Sequence, residues 1–222
     1  MKVILISSLV VLLSACGGGG SSSSSSAPPS TAQYPVDSAY SAVAQMNKNY
    51  NLTAILGSNT FNLQITYVPG AMSSFNGQPA YTATITSILS EDGVLITNNV
   101  QTEFFTISPY FPLGAINTNG QVTVDTNQTS LPVYATEGQS NLYDTTTTYT
   151  DNTRTTIYSI ASSTWSLSPD TSTTAFSCIN TVGTIIGVGA TSESDCYQID
   201  ESGNVLSLQV FMLVNGATLA FQ

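Results

Sequence analysis

From residue 52 onward the apolar positions recur at every second residue. Leu52, Ala54 and Leu56 alternate with other residues, as do Phe61, Leu63, Ile65 and Tyr67, and Gly57-Ser58-Asn59 separates the two runs. Period two turns one face of an extended chain toward a core, so each run reads as a β-strand and the break as a turn. Two longer hairpins follow. Glu91-Asp92-Gly93 divides Tyr81 to Ser90 from Val94 to Ile107, and Asp151-Asn152-Thr153 divides Tyr143 to Thr150 from Thr155 to Leu167. Connections this short join antiparallel neighbours, and the strand-helix-strand rhythm of a parallel sheet does not occur. One helical pattern precedes the strands: Ala39, Val43 and Met46 recur over residues 38 to 47, with Asp37 or Ser38 placed to cap the segment. The pattern predicts a mainly β fold, an antiparallel sandwich-like or curled sheet with one short N-terminal helix.

The chain also echoes itself. Residues 77 to 86 (GQPAYTATIT) are similar to residues 138 to 147 (GQSNLYDTTT), and an acidic turn follows each. Phe105 to Pro109 and Trp165 to Pro169 then stand at matching distances beyond those turns, and Ile116 to Val122 shares the pattern I-x₃-G-x-V with Ile199 to Val205. Anchors in one order suggest an internal duplication within a β domain of residues 31–222, with related units at about 50–127 and 128–222. In the second unit an insertion carries the two downstream cysteines.

The first thirty residues have a different character. Lys2 precedes the apolar run Val3 to Leu13, which is too short as a helix to span a bilayer at about 1.5 Å per residue. The following Leu13-Ser14-Ala15-Cys16 resembles the lipobox of bacterial lipoproteins. That resemblance implies a signal peptide at residues 1–15, cleavage before Cys16, and acylation of its thiol and amine by palmitate-like chains. Several acyl chains, each gaining about 0.8 kcal/mol per buried CH₂, make a durable membrane anchor. Residues 16–30 continue as Gly17 to Gly20, Ser21 to Ser26 and Ala27-Pro28-Pro29-Ser30, a composition that cannot build a core and reads as a flexible tether. By the same resemblance, Gly17 stands where an aspartate would direct retention at the inner membrane, so the expected address is the outer membrane, on a face left open.

A second resemblance covers roughly residues 130 to 210. Ala135 to Ser140, Tyr149 to Thr153, Pro169 to Ala175 and Tyr197 to Gly203 are similar, in that order, to uncharacterised proteobacterial envelope lipoproteins that end in a strand-rich module. It implies an envelope lipoprotein of β fold and brings no catalytic residues.

Composition removes several chemistries. Three Lys and Arg stand against thirteen Asp and Glu, a net charge of −10, so the basic footprint needed to hold nucleic acid is missing. The chain contains no histidine, which excludes Ser-His-Asp and Cys-His catalysis and histidine-ligated metal or haem sites. No cofactor or metal is implied. Cys178 and Cys196 remain after Cys16 and are expected to pair as a disulfide in an oxidising envelope. Lys48 reads as a solvated charge at the end of the helix, Gly183 to Gly189 as a tightly turned or mobile connection inside the disulfide loop, and Trp165 as core.

Two candidate sites remain. Glu193, Asp195, Asp200 and Glu201 cluster near the second cysteine and read as solvated turn acids, a spacing unlike an EF-hand. The loop Ser108-Pro109-Tyr110-Phe111-Pro112-Leu113-Gly114 holds two prolines that oppose regular pairing, so Tyr110, Phe111 and Leu113 either form a partner-binding loop or fold back to cap the core. The function expected is a binding or structural interaction module, held to the membrane through lipid on Cys16 and meeting an envelope or surface partner. Two alternatives carry distinct signatures. A glycan hydrolase using paired carboxylates would show a cavity flanked by two close carboxyls, and a lipid or lipoprotein carrier would show a large apolar concavity.

Overall fold

The structure, a computed structural model, describes residues 31–214 and 216–222. The expected signal peptide, Cys16 and its tether lie outside the described residues. Among the described residues one helix, α1 (Val36–Gln45), is followed by thirteen strands: β1 (Lys48–Leu56), β2 (Asn59–Pro69), β3 (Ser73–Phe75), β4 (Gln78–Glu91), β5 (Val94–Ile107), β6 (Tyr110–Asn117), β7 (Val122–Thr126), β8 (Ser140–Tyr149), β9 (Ile157–Pro169), β10 (Thr174–Ile185), β11 (Gly189–Asp200), β12 (Val205–Val214) and β13 (Ala217–Phe221).

Twelve of the strands form one antiparallel meander in chain order, with only β3 off the path as a short flap paired to β4. The sheet curls until its two ends nearly meet. There Thr53 of β1 and Gln222, just past β13, exchange backbone hydrogen bonds of 3.1 and 3.2 Å. A sheet curled this far turns one face of every strand inward and leaves little open edge. The turns are those the sequence announces: Asp92 and Gly93 both have positive φ, 49° and 79°, as a two-residue hairpin between β4 and β5 requires.

The helix closes the interior at one end. Val36, Ala39, Tyr40, Val43 and Ala44 are buried, and the Tyr40 hydroxyl donates to the Ser177 carbonyl at 3.1 Å. The helix starts two residues earlier than its apolar spacing suggests and has no side-chain cap. The Asp37 carboxylate instead accepts from the backbone N–H of Tyr110 at 2.9 Å, and the Ser38 hydroxyl donates to the Pro35 carbonyl at 3.2 Å. A tertiary hydrogen bond has taken the capping acid. Met46 consequently falls outside the helix and is exposed, and Lys48 opens β1 with its ammonium 5.8 Å from the Tyr50 ring centre instead of closing the helix.

Much of the core comes from β1, β2, β12 and β13, joined by Phe105, Trp165, Leu167 and Ile199 from the strands between. Leu52, Phe61, Leu63, Ile65, Leu208, Val210, Leu219 and Phe221 are all buried, in one cluster with the helix. A second, smaller core lies on the outer face, where the β3 flap folds its Phe75 ring over Phe104, the centroids 4.8 Å apart, beside Ala80 and Val122. Gly114 permits this closeness, since a Cβ there would stand 2.6 Å from the Phe75 ring and 2.2 Å from the Thr123 carbonyl oxygen.

Cys178 and Cys196 are disulfide-bonded and stand directly opposite each other on β10 and β11. Their interior-facing neighbours, Ile179 and Asp195, are also register partners. In the chain-entropy picture a bridge between residues 18 apart contributes about 3 kcal/mol. Urea unfolding of Cys178→Ala/Cys196→Ala is therefore expected to show a loss of that size, and reduction of the wild type should reproduce it. Unchanged midpoints would mean that the hairpin is equally constrained without the bridge.

The repeated anchors all lie in this single sheet. The β4–β5 and β8–β9 hairpins stand four strands apart along the meander, while the two I-x₃-G-x-V turns, after β6 and after β11, stand five apart. The anchors do not share one offset.

Candidate functional site

Part of the interior face is polar. Register places Gln101 and Glu103 of β5 on it, with Ala115 opposite Glu103 and Thr123 opposite Ala115. Asp125 follows two residues beyond Thr123, and across β8 and β9 come Asp144 and its partner Ser163, then Thr181 and Asp195. These groups line a cavity of about 280 Å³ whose roof is the helix, through Tyr40, Val43 and Ala44. A second cavity of about 270 Å³ shares Gln101 with the first and continues toward the hairpin tips past Asn99, Thr97 and Glu193.

A β-bulge shapes the first chamber. Between Leu142 and Asp144 the β8 register slips, so that both Tyr143 and Asp144 border the cavity. Tyrosines fill the end below the helix: Tyr40 meets Tyr197 edge-on with centroids 5.4 Å apart, and the hydroxyls of Tyr67 and Tyr197 are 2.9 Å apart.

Four carboxyls therefore face one chamber, and among the described residues no Lys or Arg lines it. Arg154 lies outside, its guanidinium 5.5 Å from the Phe75 ring centre and donating to Asn76 at 2.6 Å. Burial raises all four acids. Glu103 is pushed up to about 7, eased by the hydrogen bond that Gln101 donates at 3.0 Å. Asp125 is pushed up to about 8, first by burial and then by the charges of Asp144 and Glu103. Asp144 rises through burial against the opposing pull of Ser163, and Asp195 rises well above the usual carboxylate range through burial, then Glu193 and Glu103. Three buried polar atoms in this chamber have no hydrogen-bond partner: the Tyr143 hydroxyl, Asp144 Oδ1 and Asp195 Oδ1. Among the described residues, no three carboxylates converge closely enough to share one metal ion.

The positions suggested by sequence are redistributed. Of the four acids read as turn residues, only Asp200 and Glu201 stand at the turn after β11, where Asp200 accepts from the amides of Ser202 and Asn204 at 2.8 and 2.9 Å. Glu193 and Asp195 lie within β11 on its interior face, Glu193 solvent-open and Asp195 deeper. The proline loop pairs after all: β6 begins at Tyr110, and a register slip beside Pro112 absorbs the irregularity. Tyr110 does not project to a partner. It is buried, stacked on Tyr40 at 6.3 Å and tilted against Phe105 at 5.7 Å. Phe111 is half-buried, and Leu113 packs against the outer core. Trp165 is in the core, and Gly187 turns the β10–β11 hairpin.

Glu103, Asp125 and Asp144 escape the sequence reading. Glu103 and Asp125 leave a faint but physical signal, a strand acid two residues after a polar residue on the same face, as in Gln101-x-Glu103, Thr123-x-Asp125 and Glu193-x-Asp195; Asp144, two residues after Leu142 across a register slip, leaves none. Comparison with protein-family models, with curated proteins and with solved structures finds no match to this chain.

Proposed function

We propose that this protein is a lipid-anchored module of the bacterial envelope that binds a small polar molecule inside its curled sheet. The observation that carries the reading is the half-open chamber of about 280 Å³ with three unpartnered polar atoms in its wall. Unpaired buried polar atoms each cost on the order of 1–3 kcal/mol, a cost that a bound polar molecule would offset. The size sits at the lower edge of small-molecule pockets, which suits a compact ligand and not a glycan chain. A hydrolase would also need one carboxyl kept ionised beside one kept protonated, whereas burial drives these four in the same direction. The acid and hydroxyl lining likewise suits a polar ligand better than a lipid tail.

Native mass spectrometry of protein extracted from its own envelope tests the reading. A bound small molecule is expected with the wild type and absent from Ala115→Leu, which narrows the chamber; protein that emerges empty overturns it. In the same cells Cys16→Ala is expected to move from the membrane to the soluble fraction. Retention in the membrane would overturn the lipid anchor.

A further inference from the structure

We propose that the chamber selects a short aliphatic dication, a molecule with two ammonium groups joined by a few methylenes. This inference deepens the binding reading above and rests on it. Its basis is the placement of the acids in two groups. Asp125 and Asp144 come from the adjoining strands β7 and β8, close enough for the Asp144 charge to act on Asp125, while Asp195 stands on β11, three strands further along the sheet from β8. Glu103 on β5 is within electrostatic reach of both groups. Each group offers an unpartnered acceptor, Asp144 Oδ1 in one and Asp195 Oδ1 in the other. Asp144 is only 4% exposed, so water does not freely satisfy it.

The chemistry of the lining narrows the ligand further. A single metal ion needs carboxylates converging on one point, and among the described residues no three do. Acceptors at two separated places instead match two donors at the ends of a flexible stem. The tyrosine rings that line the same chamber, Tyr40 and Tyr197 among them, supply faces that attract ammonium and methylene groups alike. Acids in a chamber that no Lys or Arg lines among the described residues, in a chain of net charge −10, favour a cationic guest over an anionic or neutral one.

The test is calorimetric titration of the full chain at pH 8 with 1,4-diaminobutane, 1-aminobutane, 1,4-butanediol and calcium chloride. The diamine is expected to bind at one site, at least tenfold more tightly than the monoamine, and the diol and calcium not at all. Asp144→Asn and Asp195→Asn should each weaken the diamine at least tenfold while melting no lower than the wild type, which separates loss of the site from loss of the fold. Binding should also release protons, visible as heats that depend on the ionisation enthalpy of the buffer. Diamine binding that survives both substitutions, or calcium binding without diamine binding, overturns the inference. Equal binding of diol and diamine overturns the cationic preference and leaves the binding module intact. Failure of all four probes together with an empty protein in native mass spectrometry overturns both.

Discussion

The melting temperature is expected to fall as the pH rises from about 5 to 8, opposite to the behaviour of a protein stabilised by ionised surface carboxylates. Glu103 and Asp125 bind their protons more tightly in the folded chain, at about 7 against 4.5 and about 8 against 3.8. A carboxyl raised in the folded state contributes stability that is complete below its unfolded value and is lost as pH climbs through the folded one. Asp144 and Asp195 add in the same direction, and Glu193 and the chamber tyrosines are the other titratable groups facing them. Each group contributes up to about 1.4 kcal/mol per pH unit across its window, less where the cavity admits water. A total loss of roughly 2–4 kcal/mol, or about 5–15 °C in a chain of this size, is the expected result. Asp125→Asn and Glu103→Gln should each raise the melting temperature at pH 8, leave it nearly unchanged at pH 5, and flatten the curve between. On the acid side the sign reverses. Asp151, Asp170 and Asp200 are held low by hydrogen bonds from side chains and amides, so their contribution is present above their unfolded values and is lost as pH falls below them. A melting temperature that rises steadily from pH 5 to 8 would mean that the chamber acids are ionised and solvated.

Phe221→Ala is expected to be the most damaging single truncation, at about 3–5 kcal/mol. The ring is completely buried, opposite Val210 and in the same core as Leu52 and Phe61. Its position matters as much as its area. The two backbone hydrogen bonds between Thr53 and Gln222 join the ends of the meander, and Phe221 is the adjacent side chain that ties β13 to the core. Urea unfolding should show the stability loss, and amide exchange should show Thr53 and Gln222 losing protection before the strands between them. As a control, Ile55→Ala, at a side chain 73% exposed on β1, should stay within about 0.5 kcal/mol of the wild type. Equal effects from the two substitutions would mean that the seam is not held by the interior.

Most of the strand pattern could be read from the chain because it is local. β5 runs from Val94 to Ile107, as its flanking Asp92-Gly93 turn and following Ser108-Pro109 announce, and Leu52, Ala54, Phe61, Leu63 and Ile65 are buried as period two requires. What alternation cannot say is which face lies inside. In β7 the valines would be assigned to the core and Asp125 to solvent, yet Val122 packs outward beneath the β3 flap and Asp125 lines the chamber. The flap is a tertiary event, invisible in β7 itself. Asp195 misleads for a related reason: its nearness in sequence to the Asp200-Glu201-Ser202-Gly203 turn suggests a surface acid, whereas the strand residues Cys196 to Ile199 separate it from that turn. Asp37 shows the third kind of failure, in which a good local role loses to a partner seventy-three residues away.

The meander has one more consequence, which concerns how the molecule is made. Along the main path each strand pairs with one already laid down, so a chain that emerges N-terminus first can add strands in order of appearance, with every loop closed at modest entropic cost. Until residues 217 to 222 arrive, however, the growing sheet exposes an unpaired edge on both sides and a half-apolar interior. β13 is then both seal and timer: assembly is incomplete, and vulnerable to edge-to-edge association or proteolysis, until residues 217 to 222 have paired.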